Sequence, residues 1–247
     1  MRGAWWRTSV LWLLLVTSPS LWAHALSVVD VGNEELVILD SRLSLLLDPS
    51  TRMTINDVVA RQQQGKLHRA GQDDLAPGYT RNAIWVAVRL RNATTVVQTR
   101  FIEVSPPRLR DIRLFMPGSE GWTVMTSGIS TPVHSRPVQS RQPVFPVELA
   151  PGQVRDIFIR ISSGNAVMIS VRLWQPEAFH ADERTVDLVN GVQFGAIFLF
   201  SLYSLLLFFS TRDQVFLYFF IAMAVTLSVM GRGLSGCRSD LQLRGVD

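Results

Sequence analysis

The 247-residue sequence contains one cysteine, Cys237, and one lysine, Lys66, and only 18% of its residues are charged. A single cysteine excludes an internal disulfide framework and any metal site built from several cysteines. The scarcity of charge, together with a hydrophobic fraction of 47%, excludes a disordered chain. The remaining basic residues are arginines spread along the whole sequence. The net charge of +4 therefore does not form the basic patch of a nucleic-acid-binding protein.

Recognisable catalytic and cofactor motifs are also missing. Gly231–Gly236 matches the pattern G-x-G-x-x-G, but it follows an apolar run rather than a strand, so we reject a dinucleotide site. Asp73 and Asp74 are interpreted as a solvated turn. The histidines beyond the first 25 residues are isolated from each other and from cysteine: His68, His134 and His180. We therefore predict no catalytic residue, no metal site and no bound cofactor.

Residues 1–25 have the layout of a secretory signal peptide. Arg2 and Arg7 precede an apolar run that is too short to span a bilayer. Ala23 and Ala25 are the small residues that signal peptidase recognises at positions −3 and −1. We predict cleavage after Ala25, and a short uncleaved membrane anchor is the alternative. In both cases the residues that follow are exported.

Two long apolar runs near the end of the sequence predict a transmembrane helical hairpin over residues 189–231. Val189–Phe209 contains no charge and, as a helix, would be about 30 Å long, which matches the hydrocarbon core of a bilayer. Val215–Gly231 is at the short end of a span. The polar residues Ser210–Gln214 predict a tight turn between the two helices.

The hairpin sequence also predicts an orientation and a packing face. An exported domain before the first helix places Arg212 in the cytoplasm and returns the second helix outward. Three arginines after Gly231 would then lie outside, against the positive-inside trend, but large domains translocate regardless of loop charge. Gly191 and Gly195 form a small-xxx-small face that would let a second helix approach closely.

Residues 26–176 predict an all-β exported domain, because short β-branched runs alternate with turn residues. This pattern predicts a jelly roll or two-sheet sandwich. The predicted strands are Leu36–Leu39, Leu43–Leu47, Ala83–Arg91, Val96–Val104, Asp111–Met116, Trp122–Thr126, Val144–Leu149, Val154–Ile161 and Val167–Leu173. One helix is predicted at Ile55–Gln64, with Thr54 as N-cap and Asp57 completing a capping box. The prolines between Pro117 and Pro151 predict an edge-like excursion.

The candidate ligand contacts of this domain are aromatic. Trp122 follows a glycine turn, where an exposed indole could grip a sugar or another small ligand. Trp85 is the second candidate, although its neighbours alternate like core residues, which favours a packing role. Residues 177–188 are predicted to be a linker to the membrane hairpin.

The order of these features resembles the bacterial seven-transmembrane receptors with diverse intracellular signalling modules (7TMR-DISM), specifically those with the type 2 extracellular domain. The matching segments run from about Ser41 to Phe220. They are Leu46–Asp48, Thr54–Val58, Ile84–Val86, Leu90–Asn92, Val171–Phe179, Gly191–Gly195, Leu202–Tyr203 and Arg212–Tyr218.

The resemblance implies a jelly roll similar to carbohydrate-binding modules, on a receptor in the bacterial inner membrane with its main domain in the periplasm. Residues 232–247 depart from the family pattern and are interpreted as an atypical tail left by truncation. The predicted function is the ligand-sensing portion of a signal-transduction receptor without its output module. The alternative is a membrane-anchored periplasmic binding or adaptor module with no signalling output. The expected partners are a small-molecule or glycan ligand, membrane lipid and, in a homodimer, a second copy of the chain.

Overall fold

The computed structural model describes residues 26–119, 121–163 and 166–235, which form a two-sheet sandwich followed by two long helices. In chain order the strands are β1 (Val28–Val31), β2 (Leu36–Ile38), β3 (Ser44–Asp48), β4 (His68–Arg69), β5 (Gly78–Tyr79), β6 (Ala83–Asn92), β7 (Gln98–Ser105), β8 (Asp111–Gly118), β9 (Gly121–Ser127), β10 (Val144–Leu149), β11 (Val154–Ser162), β12 (Ala166–Val167) and β13 (Ser170–Trp174). The helices are α1 (Ile55–Gln63), α2 (Gln72–Leu75), α3 (Pro176–Thr211) and α4 (Gln214–Ser235). The predicted signal peptide and residues 236–247 of the predicted tail lie outside the described residues.

The larger sheet has the strand order β4-β3-β6-β11-β8-β9, with β1 parallel beside β6. The smaller sheet has the order β10-β7-β13-β2 and is antiparallel throughout. A third, two-stranded sheet pairs β12 with β5. The predicted sandwich is confirmed. The predicted strand Val167–Leu173 is in fact two, because the chain leaves one sheet at Val167 and enters another at Ser170.

Two apolar clusters stabilise the sandwich, one on each face of β6. Ile84, Val86 and Val88 face the smaller sheet and belong to the main core between the sheets. Trp85 and Ala87 face the other way and pack beneath α1 in a second cluster. Because the side chains of a strand alternate between faces, a strand buried on both sides is apolar at successive positions, as β6 is.

Helix α1 begins where the sequence predicts. The hydroxyl of Thr54 accepts a hydrogen bond from the backbone N–H of Asp57 at 3.4 Å, and the carboxylate of Asp57 accepts one from the N–H of Thr54 at 2.8 Å. This reciprocal pair satisfies two N–H groups that the first turn of a helix leaves free. The hydrogen bonds from Thr54 also lower the pKa of Asp57.

The sandwich has two lateral edges. At one edge, β4 of the larger sheet lies near the turn that follows β2, because the guanidinium of Arg69 donates to the carbonyl of Ser41 at 2.8 Å. At the other edge, residues 128–143 connect β9 to β10. Both β9 and β10 are edge strands, so the proline-rich region does lie at an edge, as predicted.

Helix α3 runs without interruption from Pro176 to Thr211. The predicted linker, residues 177–188, therefore forms the first turns of this helix. The predicted polar turn is shorter than expected, since only Arg212 and Asp213 separate α3 from α4, and Arg212 ends α3 in a left-handed conformation. Among the described residues, α3 is the one helix long and apolar enough to cross a membrane, with an 18-residue stretch whose mean hydropathy is 2.0. Residues 232–235, predicted as the start of the tail, continue α4.

Candidate functional site

A cleft of about 640 Å³ opens at the edge formed by β2 and β4, which we call the cleft edge. Its walls come from three separate segments of the chain. They contribute Asp40 and Ser41 after β2, Ala70, Gly71, Leu75 and Ala76 around α2, and Met168, Ile169 and Ser170 at the start of β13.

Asp40 is the charged group that lines the cleft. One of its carboxylate oxygens accepts a hydrogen bond from the backbone N–H of Val171 at 2.7 Å. The other accepts from the hydroxyl of Ser170 at 2.9 Å. Because each carboxylate oxygen has two lone pairs, Asp40 retains capacity for a donor from a ligand. The arrangement therefore places an anionic hydrogen-bond acceptor at one side of the cleft.

The rest of the cleft lining is mainly apolar and is joined to the sandwich by hydrogen bonds and by the burial of Leu75 and Ile169 in the main core. The backbone N–H of Ile169 donates to the carbonyl of Leu75 at 2.7 Å, and that of Ala70 donates to the carbonyl of Leu43 at 2.9 Å. Met168 lies at the rim with 66% of its surface exposed. An apolar wall facing a carboxylate and two hydroxyl groups suits a small molecule with an apolar body and hydrogen-bond donors.

The sequence analysis did not identify these cleft residues. Asp40 and Ser170 are 130 positions apart, and neither belongs to a recognisable motif. In the part of the chain that the structure describes, no three His, Cys, Asp or Glu residues are close enough to hold a metal ion.

The two candidate tryptophans lie together, but away from the cleft. Trp85 is 1% exposed, and its ring packs against Phe115 with a centroid distance of 5.4 Å. Trp122 is half-buried and packs edge-on against Phe158 at 5.7 Å. Both belong to the cluster beneath α1. Trp85 presents no face to solvent here, whereas a ligand role for the partly accessible Trp122 stays a prediction.

Gly191 and Gly195 line an open face of α3. No heavy atom lies within 4 Å of a Cβ added at either position. Helices α3 and α4 contact each other, and the buried polar residues of α3 are Ser201 and Ser204, about two turns beyond Gly195. The predicted helix packing at the two glycines is therefore not formed by the described residues.

Helix α3 is docked on the outer face of the smaller sheet by an apolar cluster. Trp174, at the end of β13, packs against Phe179 of α3, and Phe179 packs edge-on against Phe101 of β7. Val144 of β10 completes the buried part of this cluster. The indole N–H of Trp174 donates to the carboxylate of Glu103 at 2.6 Å. The helix thus crosses from β13 over β7 toward β10.

Residues 138–141, which precede β10, contact the next turns of α3. The hydroxyl of Ser140 donates to the carboxylate of Glu183 at 2.6 Å, and Arg141 forms an ion pair with Asp187 at 2.8 Å. Ser140 is itself buried. We call the docking region of α3, from the aromatic cluster of Trp174 and Phe179 to these contacts beside β10, the junction edge. The helix leaves the sandwich there, at the edge opposite the cleft.

A buried arginine stabilises the loop beside the start of α3. Arg100 of β7 donates to the carbonyls of Gly32 and Glu34, and the side chain of Gln175 donates to the neighbouring carbonyl of Asn33 at 3.2 Å. Burial lowers the pKa of the Arg100 guanidinium. The loop between β1 and β2 is therefore fixed to the same region as the helix.

The comparisons with known proteins concern the sandwich. A family model described as 7TMR-DISM extracellular 2 matches residues 40–175. No curated protein matches the chain.

Two solved structures are similar at low identity. A Cry1Da tryptic core variant of Bacillus thuringiensis is 10% identical, with a TM-score of 0.28 and coverage of 60% of this chain and 24% of that one. A structure of carbohydrate-binding modules from the β-sandwich superfamily is 7% identical, with a TM-score of 0.22 and coverage of 57% and 54%. Similarity at this level carries no argument about what the chain binds.

Proposed function

Because the chain belongs to the 7TMR-DISM extracellular 2 family, we propose that its sandwich is the periplasmic ligand-sensing portion of a membrane signal-transduction receptor. The domain faces outward and α3 enters the membrane, which in this proposal is the bacterial inner membrane. The turn at Arg212 and Asp213 then lies in the cytoplasm, and α4 returns toward the periplasm.

The observation that carries this proposal is the position of β13. Its first residue, Ser170, lines the cleft and bonds to Asp40. Its last residue, Trp174, packs on α3. One five-residue strand thus joins the cleft to the membrane helix. A ligand that changed the position of β13 would act on both, which is what coupling between two sites requires.

The cleft chemistry narrows the ligand class. The carboxylate of Asp40 prefers hydroxyl or ammonium donors, and the apolar wall around Leu75 and Met168 prefers hydrocarbon. A sugar combines hydroxyl donors with an apolar ring face, and a small amine combines an ammonium group with an alkyl body. We propose that the cleft takes a small molecule of one of these kinds, in contact with Asp40.

Filling the cleft tests the proposal. Ala76 lines the cleft and is exposed, so Ala76→Trp should occupy the cavity without disturbing the core. Ala93→Trp, at an exposed position outside the cleft, is the matched control. Calorimetry of the purified chain against a panel of glycans and small amines should show binding that Ala76→Trp abolishes and Ala93→Trp retains. Binding that survives Ala76→Trp but disappears in Trp122→Ala would move the site to the cluster beneath α1.

A receptor differs from an adaptor without output in what happens at α3. Sensing requires that the ligand alter the helix, whereas an adaptor needs only to bind. Amide hydrogen exchange of residues 176–188, measured with and without ligand, should change if the chain senses. Binding with unchanged exchange in this segment would favour the membrane-anchored adaptor.

A further inference from the structure

The junction edge contains a second pocket, of about 340 Å³, between residues 139–141 and the outer turns of α3. Its charged and titratable lining residues are Arg141, His180, Glu183, Arg184 and Asp187. We propose that this pocket binds the headgroup of a phospholipid that carries a primary ammonium group, of the phosphoethanolamine class. The proposal rests on the proposed function in one respect, namely that α3 crosses the membrane.

The position of the pocket along α3 matches the headgroup layer. Asp187 is the last charged residue of the helix, and residues 188–211 carry no charge. The polar layer on each side of a bilayer is roughly 5–8 Å thick. Glu183 and Arg184 lie one turn before Asp187 and Leu188, or about 6 Å along the axis at 1.5 Å per residue. The pocket therefore begins where the hydrocarbon ends.

The charges in the pocket favour a zwitterion over an anion. Arg141 and Asp187 neutralise each other at 2.8 Å. The remaining cation of the pocket is Arg184, and the remaining carboxylate is Glu183. Glu183 accepts from the hydroxyl of Ser140 at 2.6 Å and lies 3.5 Å from Nδ1 of His180. Because each carboxylate oxygen has two lone pairs, Glu183 retains capacity for an ammonium donor. Among the described residues, no hydrogen bond or ion pair engages the exposed Arg184. A phosphate can bind its guanidinium in a bidentate manner, while an ammonium group of the same headgroup donates to Glu183.

The surface of α3 below the pocket provides room for an acyl chain. In a helix, residues three, four and seven positions apart share a face. Leu188, Gly191 and Gly195 therefore continue the face of Arg184 into the hydrocarbon. Leu188 is 69% exposed, and both glycines have open space beside them. The two glycines leave a shallow groove directly below the cationic side of the pocket.

Lipid retention measured by native mass spectrometry tests the proposal. The full chain is released from nanodiscs that contain equal amounts of phosphatidylethanolamine, phosphatidylcholine and phosphatidylglycerol. Wild-type protein should retain phosphatidylethanolamine preferentially. Arg184→Gln should lower that retention about tenfold, which is the loss of one charge-assisted contact. Arg108→Gln, at an exposed arginine that does not line the pocket, should leave it unchanged.

Each other result overturns the proposal in a distinct way. Preferential retention of phosphatidylglycerol would show an anion site, and equal retention of all three lipids would show no headgroup site. Displacement by soluble glycerophosphoethanolamine at equal concentration would show that the acyl chain contributes nothing. Alkaline carbonate extraction tests the separate premise that α3 crosses the membrane. A chain that carbonate releases from membranes would not span them.

Discussion

The cleft edge and the junction edge of the sandwich are built in opposite ways. At the cleft edge, three chain segments surround a cavity of about 640 Å³ and are joined by a few hydrogen bonds, such as those of Asp40 and Arg69. At the junction edge, aromatic rings pack on each other and bury Trp174 to 8% exposure. The cleft walls reach the core through Ala70, Leu75 and Ile169, but an open cavity permits local change at lower free-energy cost than dense packing does. The edge that contains the cleft is therefore adaptable, and the edge to which the helix is attached is rigid.

Removing the indole of Trp174 at the junction edge should have the largest effect on the free energy of unfolding. Trp174→Ala deletes a buried ring and leaves the carboxylate of Glu103, which is 4% exposed, without its indole donor. We expect a loss of about 3–5 kcal/mol in the free energy of unfolding. Chemical denaturation of the detergent-solubilised chain, followed by near-ultraviolet circular dichroism, measures it. Trp174→Phe, which keeps an apolar ring, should lose less. A loss below about 1 kcal/mol for Trp174→Ala would contradict a rigid junction.

An acidic residue beside the cleft edge should make stability depend on pH. Asp48 ends β3, the strand next to β4, and is fully buried. Burial raises its pKa, but hydrogen bonds from Ser50 at 2.5 Å and from the N–H of Met53 at 3.0 Å outweigh burial and lower the pKa below its usual value of 3.8. Because the folded-state pKa is lowered, the stabilisation is complete above pH 3.8 and is lost as the pH falls through the folded-state value.

Asp48→Asn should therefore lower stability by about 1–3 kcal/mol at neutral pH and flatten the decline below about pH 4. Melting temperatures recorded from pH 2 to pH 7 would show both effects. Asp73→Asn, at an exposed position, is the control. If the melting temperature falls as steeply at acidic pH in Asp48→Asn as in the wild type, Asp48 is not a source of the acid sensitivity.

Removing the carboxylate of Asp40 in the cleft should lower the free energy of unfolding by less than removing the indole of Trp174 at the junction edge. Asp40→Ala leaves the N–H of Val171 and the hydroxyl of Ser170 without their acceptor, but the site is only half-buried and water can replace it. We expect a loss of about 1–2 kcal/mol. Amide exchange should increase most at residues 168–171 and less in residues 176–180, which the cleft reaches only through β13. An equal increase in both segments would show that the junction is no more rigid than the cleft edge.

The exposed ion pair at the junction edge should contribute least to the free energy of unfolding. The side chains of Arg141 and Asp187 are 45% and 62% exposed, so solvent screens their attraction. Arg141→Ala should lower stability by about 0.2–1 kcal/mol, and the loss should shrink as salt is added. A double-mutant cycle with Asp187→Ala measures the coupling. A coupling above about 2 kcal/mol would show that the junction depends on this pair as much as on its aromatic packing.

Most of the sandwich could be predicted from the sequence because its strands have strong local patterns. The alternation around Trp85 correctly favoured a packing role, and the capping box at Thr54 and Asp57 placed the start of α1. Strand β1 was missed, although Val29 and Val31 are buried. The two-residue strands β4, β5 and β12 carry no periodicity of their own.

The cleft could not be predicted for a different physical reason. Its carboxylate is useful only because β2 and β13 are neighbours in the smaller sheet, which brings Asp40 to Ser170. No local pattern encodes that adjacency. The docking of α3 was missed similarly, since Phe179 and Glu183 look like ordinary linker residues until Phe101 and Ser140 are placed beside them.

Helix α3 is continuous, so a small tilt of its first turns at the junction edge produces a larger displacement at its far end. The helix has 36 residues and is therefore about 54 Å long at 1.5 Å per residue. The part from Leu188 to Thr211 accounts for roughly 35 Å of that length. A tilt of about 5° around Leu188 would sweep the far end sideways by about 3 Å, comparable to the helix shifts that switch other proteins. Because α3 is one continuous helix, a tilt set by the outer domain would extend along its whole length, and in the proposed topology its far end lies on the other side of the bilayer.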